Sequence, residues 1–356
     1  MMNLNEHGQR VAARSEAFFG ARDPGHALVL TQWPVEAPAV PPLCSFDLDR
    51  ELGRWLDARL ANARPAWEAR GDIDDDRVPC LCPSFGIAEH SAWLGLDVRL
   101  QEWTCLPLPR IADADAIPGL RGDPSARWFG YMRDGYEHLR SRQDGTFVLS
   151  VRGTMSPMDI ANAVRGDEFF ADVVADPDLA RALVKRVTAL IPWYYDQLAS
   201  WADDVAGGRV FHLGGFWAPP DTLGHLSNDA AMLCGPDVYA EFGFPYEAEL
   251  ARRYRHVIYH VHNEKMHFIP QLAQLPNLAL LEVSRDPKTV HPLDDLQRIL
   301  DATGDVALML AASSDQVRAA LPELARRNVV LDVTCRDAGD AADVVRVVRA
   351  ATKPLG

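Results

Sequence analysis

The chain has 356 residues, is 48% hydrophobic and 24% charged, and carries a formal net charge of −14. This length and apolar content support a large buried core in one or two domains, and the acidic balance excludes the basic field a nucleic-acid surface needs. No apolar run approaches the ~20 residues of a membrane span and the N-terminus is polar and mixed in charge, so no membrane association and a cytoplasmic location are expected. The six cysteines are too few for a disulfide framework in a chain this long.

Strand-like apolar runs appear in chain order at 26–33 (HALVLTQW), 78–85 (VPCLCPSF), 147–152 (FVLSVR), 209–214 (RVFHLG), 257–262 (VIYHVH), 278–284 (LALLEVS), 306–310 (VALML) and 329–333 (VVLDV). Between the first two lies a proline-rich, then acid- and arginine-rich excursion over 35–77. A second excursion over 101–145 holds Trp103, Pro107, Pro109, Trp128 and Tyr131. Amphipathic helices are expected at 178–203, 236–254, 265–274, 292–302, 314–327 and 338–352. Cys80-Leu81-Cys82 lacks the two-residue spacer of a zinc knuckle or redox pair, and reads as small side chains in a buried strand.

Apolar strands alternating with amphipathic helices indicate an α/β protein with a parallel sheet covered on both faces. Eight such units predict a (β/α)8 TIM barrel with an elaborated N-terminal half. It forms a single domain over 1–356, in which 1–77 is an N-terminal extension and first strand with its long excursion. A doubly wound open sheet is the alternative, but no Gly-x-Gly-x-x-Gly follows any strand.

In such a barrel functional residues lie at the C-terminal strand ends, which here are Trp33, Ser84 and Phe85, Arg152, His212 and Trp217, His260 and His262, Glu282 and Ser284, and Cys335. His260 and His262 stand two apart on a strand and so project to one face, where they can grip one metal ion. Taken alone the pair also fits two polar side chains at a loop start. Cys335, ending another strand run, offers a third ligand for a zinc site with one open position, and Glu264, Glu282 or Glu168 a displaceable fourth. Asp229 is either a helix cap or a pocket carboxylate that orients substrate or a ligand histidine. Phe216 and Trp217 read as an aromatic substrate wall, with Trp33 and Glu282 as further lining. Arg152 either holds an anionic substrate group or pairs with Glu168. His225 and His267 read as surface or supporting residues.

Several stretches resemble the uroporphyrinogen-decarboxylase-like superfamily. Residues 155–187 carry S-P-x-x-x-A-x-x-x-R-G-x-E-x-F followed by a D-P helix. The stretch NDAAMLCGPDVYAEFGFPYEAEL (228–250) is similar to its D-x-x-x-x-x-S-P-x-x-Y-x-E-F-x-x-P-Y segment, and 257–283 resembles its H-x-C or H-x-D segment. The likeness extends over roughly 80–350 and implies the (β/α)8 barrel. The superfamily holds decarboxylases and zinc methyltransferases that move a methyl group between a corrinoid protein and a thiol. The methyltransferase branch implies Zn2+ on His260, His262 and Cys335, with a corrinoid donor and a corrinoid protein as partner. His262 replaces that branch's cysteine, which raises the site charge from zero to +1. The decarboxylase branch's arginine-rich loop near the first strand is replaced by TQWPVEAPAVPPL.

Three readings follow: zinc-dependent methyl transfer to a thiol; decarboxylase or lyase chemistry on a tetrapyrrole or aromatic acid, with Asp229, Glu168, Arg152 and the histidines as acid, base and anion-binding groups; and a non-catalytic barrel that binds a ligand or a corrinoid protein.

Overall fold

The computed structural model describes residues 3–71, 73–264 and 266–355. Helix Leu4–Gly20 opens the chain, and the Asn3 side chain caps it by accepting the Glu6 amide. The buried strand β1 (Ala27–Gln32) follows, then helix Leu48–Ala69, which Asp47 caps. Next come β2 (Cys80–Leu81), a hairpin of Val98–Leu100 with Cys105–Pro107, helix Arg127–Ser141 and β3 (Val148–Leu149). Helices Pro157–Arg165, Glu168–Ala175 and Pro177–Trp201 lead to β4 (Thr222–Ser227), helix Phe244–Ala251 and β5 (His256–His262). The chain ends with β6 (Leu278–Ser284), helix Leu296–Thr303, β7 (Leu308–Ser313), helix Ser314–Leu324, β8 (Val329–Thr334) and helix Ala338–Ala351.

Six of these strands form one parallel sheet in the order β1-β8-β7-β6-β5-β4, and β2 pairs with β3 in a separate parallel pair. Parallel strands need crossover helices, and these cover the sheet so that strand residues such as Leu28, Leu30, Ile258, Leu280 and Leu331 are fully buried. The architecture is therefore α/β with a parallel sheet, as the alternation of runs predicts. No helix among the described residues is long and apolar enough to cross a membrane.

The expected fourth strand is a correction. Run 209–214 keeps only Arg209–Val210 as strand, because Gly214 and Gly215, both at positive φ, fold the chain back so that it pairs antiparallel with Trp217–Ala218. The strand beside β5 is Thr222–Ser227, which no apolar run marks. Its Gly224 is forced: a Cβ there would lie 2.5 Å from the Phe211 ring. Run 78–85 also shortens, since Pro79 and Pro83 flank Cys80–Leu81 without an amide hydrogen to give a ladder. The helix expected over 236–254 is broken into Pro236–Val238, a wide turn Tyr239–Gly243 and Phe244–Ala251, with Pro245 removing a helical donor. Of the helix expected over 265–274, residue 265 lies outside the described residues and Ile269–Leu272 is helical.

Carboxylates, rather than a strand, line the second edge of β1. Asp76 Oδ2 accepts the Val29 amide at 2.8 Å, Asp75 Oδ2 accepts the Thr31 amide at 2.8 Å, and the Asp76 amide donates to Val29 O at 2.7 Å. Arg70 ion-pairs with the buried Asp75 and donates to Thr31 O at 2.9 Å. Residues 75–78 thus run from β1 to the turn between Arg209–Val210 and Trp217–Ala218, where the Val78 amide donates to Gly215 O at 2.8 Å.

Candidate metal centre

Strand alternation sets the site. His260 and His262 share one face of β5, while Tyr259 points the other way and donates to Glu247 Oε1 at 2.7 Å. In register, His260 stands beside Glu282 of β6 and beside Ser227 of β4. This brings His225, two residues before Ser227, against the His260 ring, with centroids 4.9 Å apart.

His225, His260 and Glu282 form a group whose donor atoms all lie within 4.8 Å of one another and could hold a metal ion. Glu282 Oε2 contacts His225 Nε2 and lies 3.0 Å from His260 Nδ1, while the Ser284 hydroxyl donates to Glu282 Oε1 at 3.1 Å. Burial works to raise the Glu282 carboxyl, but His225 and His260 outweigh it and hold the group well below the usual carboxylate range. Burial pushes His225 down in spite of Glu282. For His260 burial is again the largest influence, yet Glu282, with Asp229 and Asp286 behind it, leaves the imidazole raised.

His260 Nε2 faces His262 Nε2 at 3.2 Å. Two nitrogens bound to one tetrahedral zinc at about 2.0–2.1 Å stand roughly 3.3 Å apart, so the pair has the spacing of two ligands of one ion. The opposite ring nitrogens face carboxylates: His260 Nδ1 meets Glu282, and His262 Nδ1 lies 3.0 Å from Asp286 Oδ1, off the line of a hydrogen bond. Asp229 Oδ1 lies 3.7 Å from His262 Nε2 with half its side chain exposed. Asp229 caps nothing. Its turn is pinned by buried Asp159, which accepts the amides of Asp229 at 3.0 Å and Ala230 at 2.7 Å. Burial, with Asp229 adding to it, pushes the Asp159 carboxyl well up.

The structure separates the other expected site residues from this group. Cys335 follows Val333 by two and so continues the outward face of β8, opposite Asp332, which faces inward toward Arg77 and Glu282. Its Sγ rests 3.7 Å from Val333 O, and burial pushes the thiol up to about 12. Trp217 is fully buried against Val11, Ala12, Val78 and Val210 and donates to Val205 O at 2.6 Å, while Phe216 stacks on Phe211. Both are core rather than substrate wall. Glu168 is exposed in the first turn of its helix, and the partner of Arg152 is Glu89. Glu264 is exposed and Trp33 half-buried under the Arg70 guanidinium at 5.9 Å. Glu282, expected as lining, is at the centre. His225, Asp286, Glu89 and Asp159 were outside the expected set, and only His225 had a visible signal, its imidazole.

No protein-family model and no curated protein matches the chain. Its fold is similar to that of a solved methyltransferase from Methanosarcina mazei, with a TM-score of 0.59 and 12% identity over 99% of this chain and 98% of that one. At that identity the likeness is one of fold.

Proposed function

We propose that the protein is a methyltransferase-type enzyme on an eight-stranded barrel, with a metal centre at the C-terminal ends of β4, β5 and β6. The observation that carries the reading is the His260–His262 Nε2 pair at 3.2 Å with a carboxylate at each opposite ring nitrogen. The fold likeness to a methyltransferase supports the reaction class. His260 and His262 bind the ion through Nε2, and Asp229 takes the third place expected of Cys335. Glu282 and Asp286 orient the rings and enrich their donor nitrogens. His225 stays neutral and steadies the Glu282 carboxylate from the far side.

Zinc, when bound, supplies a positive charge that keeps a coordinated thiol ionised at neutral pH. The chain's own residues do the rest. Glu282 keeps the His260 proton on Nδ1, leaving Nε2 free as a donor atom. Asp159 fixes the turn that presents Asp229. The methyl donor is a methylated corrinoid, carried by a separate protein, and the acceptor a small thiol.

Metal content per chain, measured on protein purified without chelators, tests the site. The wild type is expected to hold about one zinc, His260→Ala and His262→Ala none, and Cys335→Ala and His225→Ala the full amount. Loss of metal in Cys335→Ala with retention in Asp229→Ala would overturn the ligand set. Methylcobalamin demethylation in the presence of thiols, followed by absorbance, tests the reaction; a zinc-loaded protein that turns over no thiol would refute it.

A further inference from the structure

Beside His225, at the ends of β2 and β3, two guanidiniums stand near one buried carboxylate, Glu89. Arg152 donates through Nε to Glu89 Oε1, and its two Nη groups have no hydrogen-bond partner among the described residues. Glu89 is otherwise engaged: its other oxygen accepts the amides of Phe85 and Gly86, the latter at 3.1 Å. Arg59 reaches the same region, donating through Nη1 to Ser84 O at 2.5 Å with its Cζ 5.1 Å from the Trp55 ring centroid, and it has no carboxylate within ion-pair distance among the described residues. The nearby imidazoles add no negative charge. Burial, then Arg152, pushes both His90 and His212 well down, so they stay neutral.

The balance is two positive charges against one negative, in a region closed over by Trp93, Tyr136 and Tyr194. A charge withdrawn from water is costly unless something opposite pairs with it. The region adjoins His225: Gly153 packs directly on the His225 backbone, where a Cβ would stand 2.5 Å from His225 N. Arg152 keeps a fifth of its side chain accessible. A guanidinium held by Nε, with both Nη groups presented to an accessible space, is the fork that binds a carboxylate through two parallel hydrogen bonds.

We propose that Arg152, seconded by Arg59, forms an anion subsite that takes the carboxylate of a small organic acid substrate. On this inference the molecule that reaches the metal centre carries an acidic group held deeper in the pocket. It rests on this end of the strands being the active site, and adds the substrate's chemical class to the proposed function.

The test is binding of succinate, with inorganic phosphate as the second probe, to chelator-treated protein by calorimetry and thermal shift. Removing the metal keeps the two proposals separable. Wild type is expected to bind succinate in preference to phosphate, and Arg152→Gln to bind it about tenfold or more weakly, since a bidentate charge-assisted pair is lost. Because that variant strands Glu89, the Glu89→Gln/Arg152→Gln double variant repeats the measurement with the buried charge balanced. His262→Ala is expected to leave succinate binding intact. Unchanged affinity in the double variant, or succinate binding lost in His262→Ala, would overturn the subsite, and tighter binding of phosphate than succinate would overturn the carboxylate assignment. A positive result here with no metal in the wild type would leave the subsite standing and sink the metal centre.

Discussion

At Glu282 one carboxylate oxygen serves two imidazoles. Glu282→Gln replaces it with an amide that can accept from the rings only through its single oxygen, and it removes the charge that keeps His260 raised. If Glu282 orients ligands, zinc affinity should fall by about 10–100-fold, read by competition with a chelating dye. Complete loss of the ion would make Glu282 a ligand itself. The histidine pair was legible from the period of the strand alone, because His260 and His262 stand two apart at the end of an apolar run. His225 was not, because its partner in the site comes from strand register, which a single sequence does not display. Cys335 misled for a related reason: a one-residue offset at a strand end moves a side chain to the other face.

At the scale of elements, β4 was the strand that composition concealed. Its sequence TLGHLS holds a glycine and three polar residues in six positions, and the glycine is there to admit Phe211. Gly224→Ala is expected to destabilise by about 1–3 kcal/mol through overpacking, and Phe211→Leu in the same chain should recover part of the melting temperature; an unshifted melt in Gly224→Ala would refute the contact. The β4 end is tied to β5 and the following helix through buried Glu247, which accepts from Asn228, Tyr239 and Tyr259, each at 2.7 Å. Burial raises its carboxyl against the pull of those donors. The folded chain therefore holds the Glu247 proton to higher pH than the unfolded one, and this contribution to stability is greatest below the ordinary glutamate pKa and is lost as pH rises through the folded value. Glu247→Gln keeps an acceptor for Asn228 and Tyr259 and carries no charge. Its stability relative to wild type should grow as pH is raised from about 5 and then level off, as followed by thermal melts across pH. Glu247→Ala, leaving three donors without a partner, should cost about 1–3 kcal/mol for each that stays buried.

Across the whole molecule, the α/β class and seven of the eight expected strands lay in the sequence, since continuous apolar runs such as LALLEVS and VVLDV have no other economical fold. What composition could not disclose is how β1 is flanked. The run of acids at 74–76 looks like solvated loop, yet Asp75 is fully buried and paired with Arg70. Arg70→Ala strands that carboxylate and should cost about 3–5 kcal/mol, a loss measurable by denaturant titration; a change under 1 kcal/mol would mean water reaches Asp75.

The unequal division of backbone pairing between the six-stranded sheet and the two-residue strands β2 and β3 has a consequence in time. Amide protons at Ile258, Leu281 and Leu331 are locked in ladders that open only with the whole sheet, whereas those around Leu81 and Leu149 can be released by local opening. Deuterium labelling should therefore divide the pocket into a slow side carrying the histidines and a fast side carrying Arg152. The protein would then keep its metal ligands still while the wall that grips an incoming acid breathes.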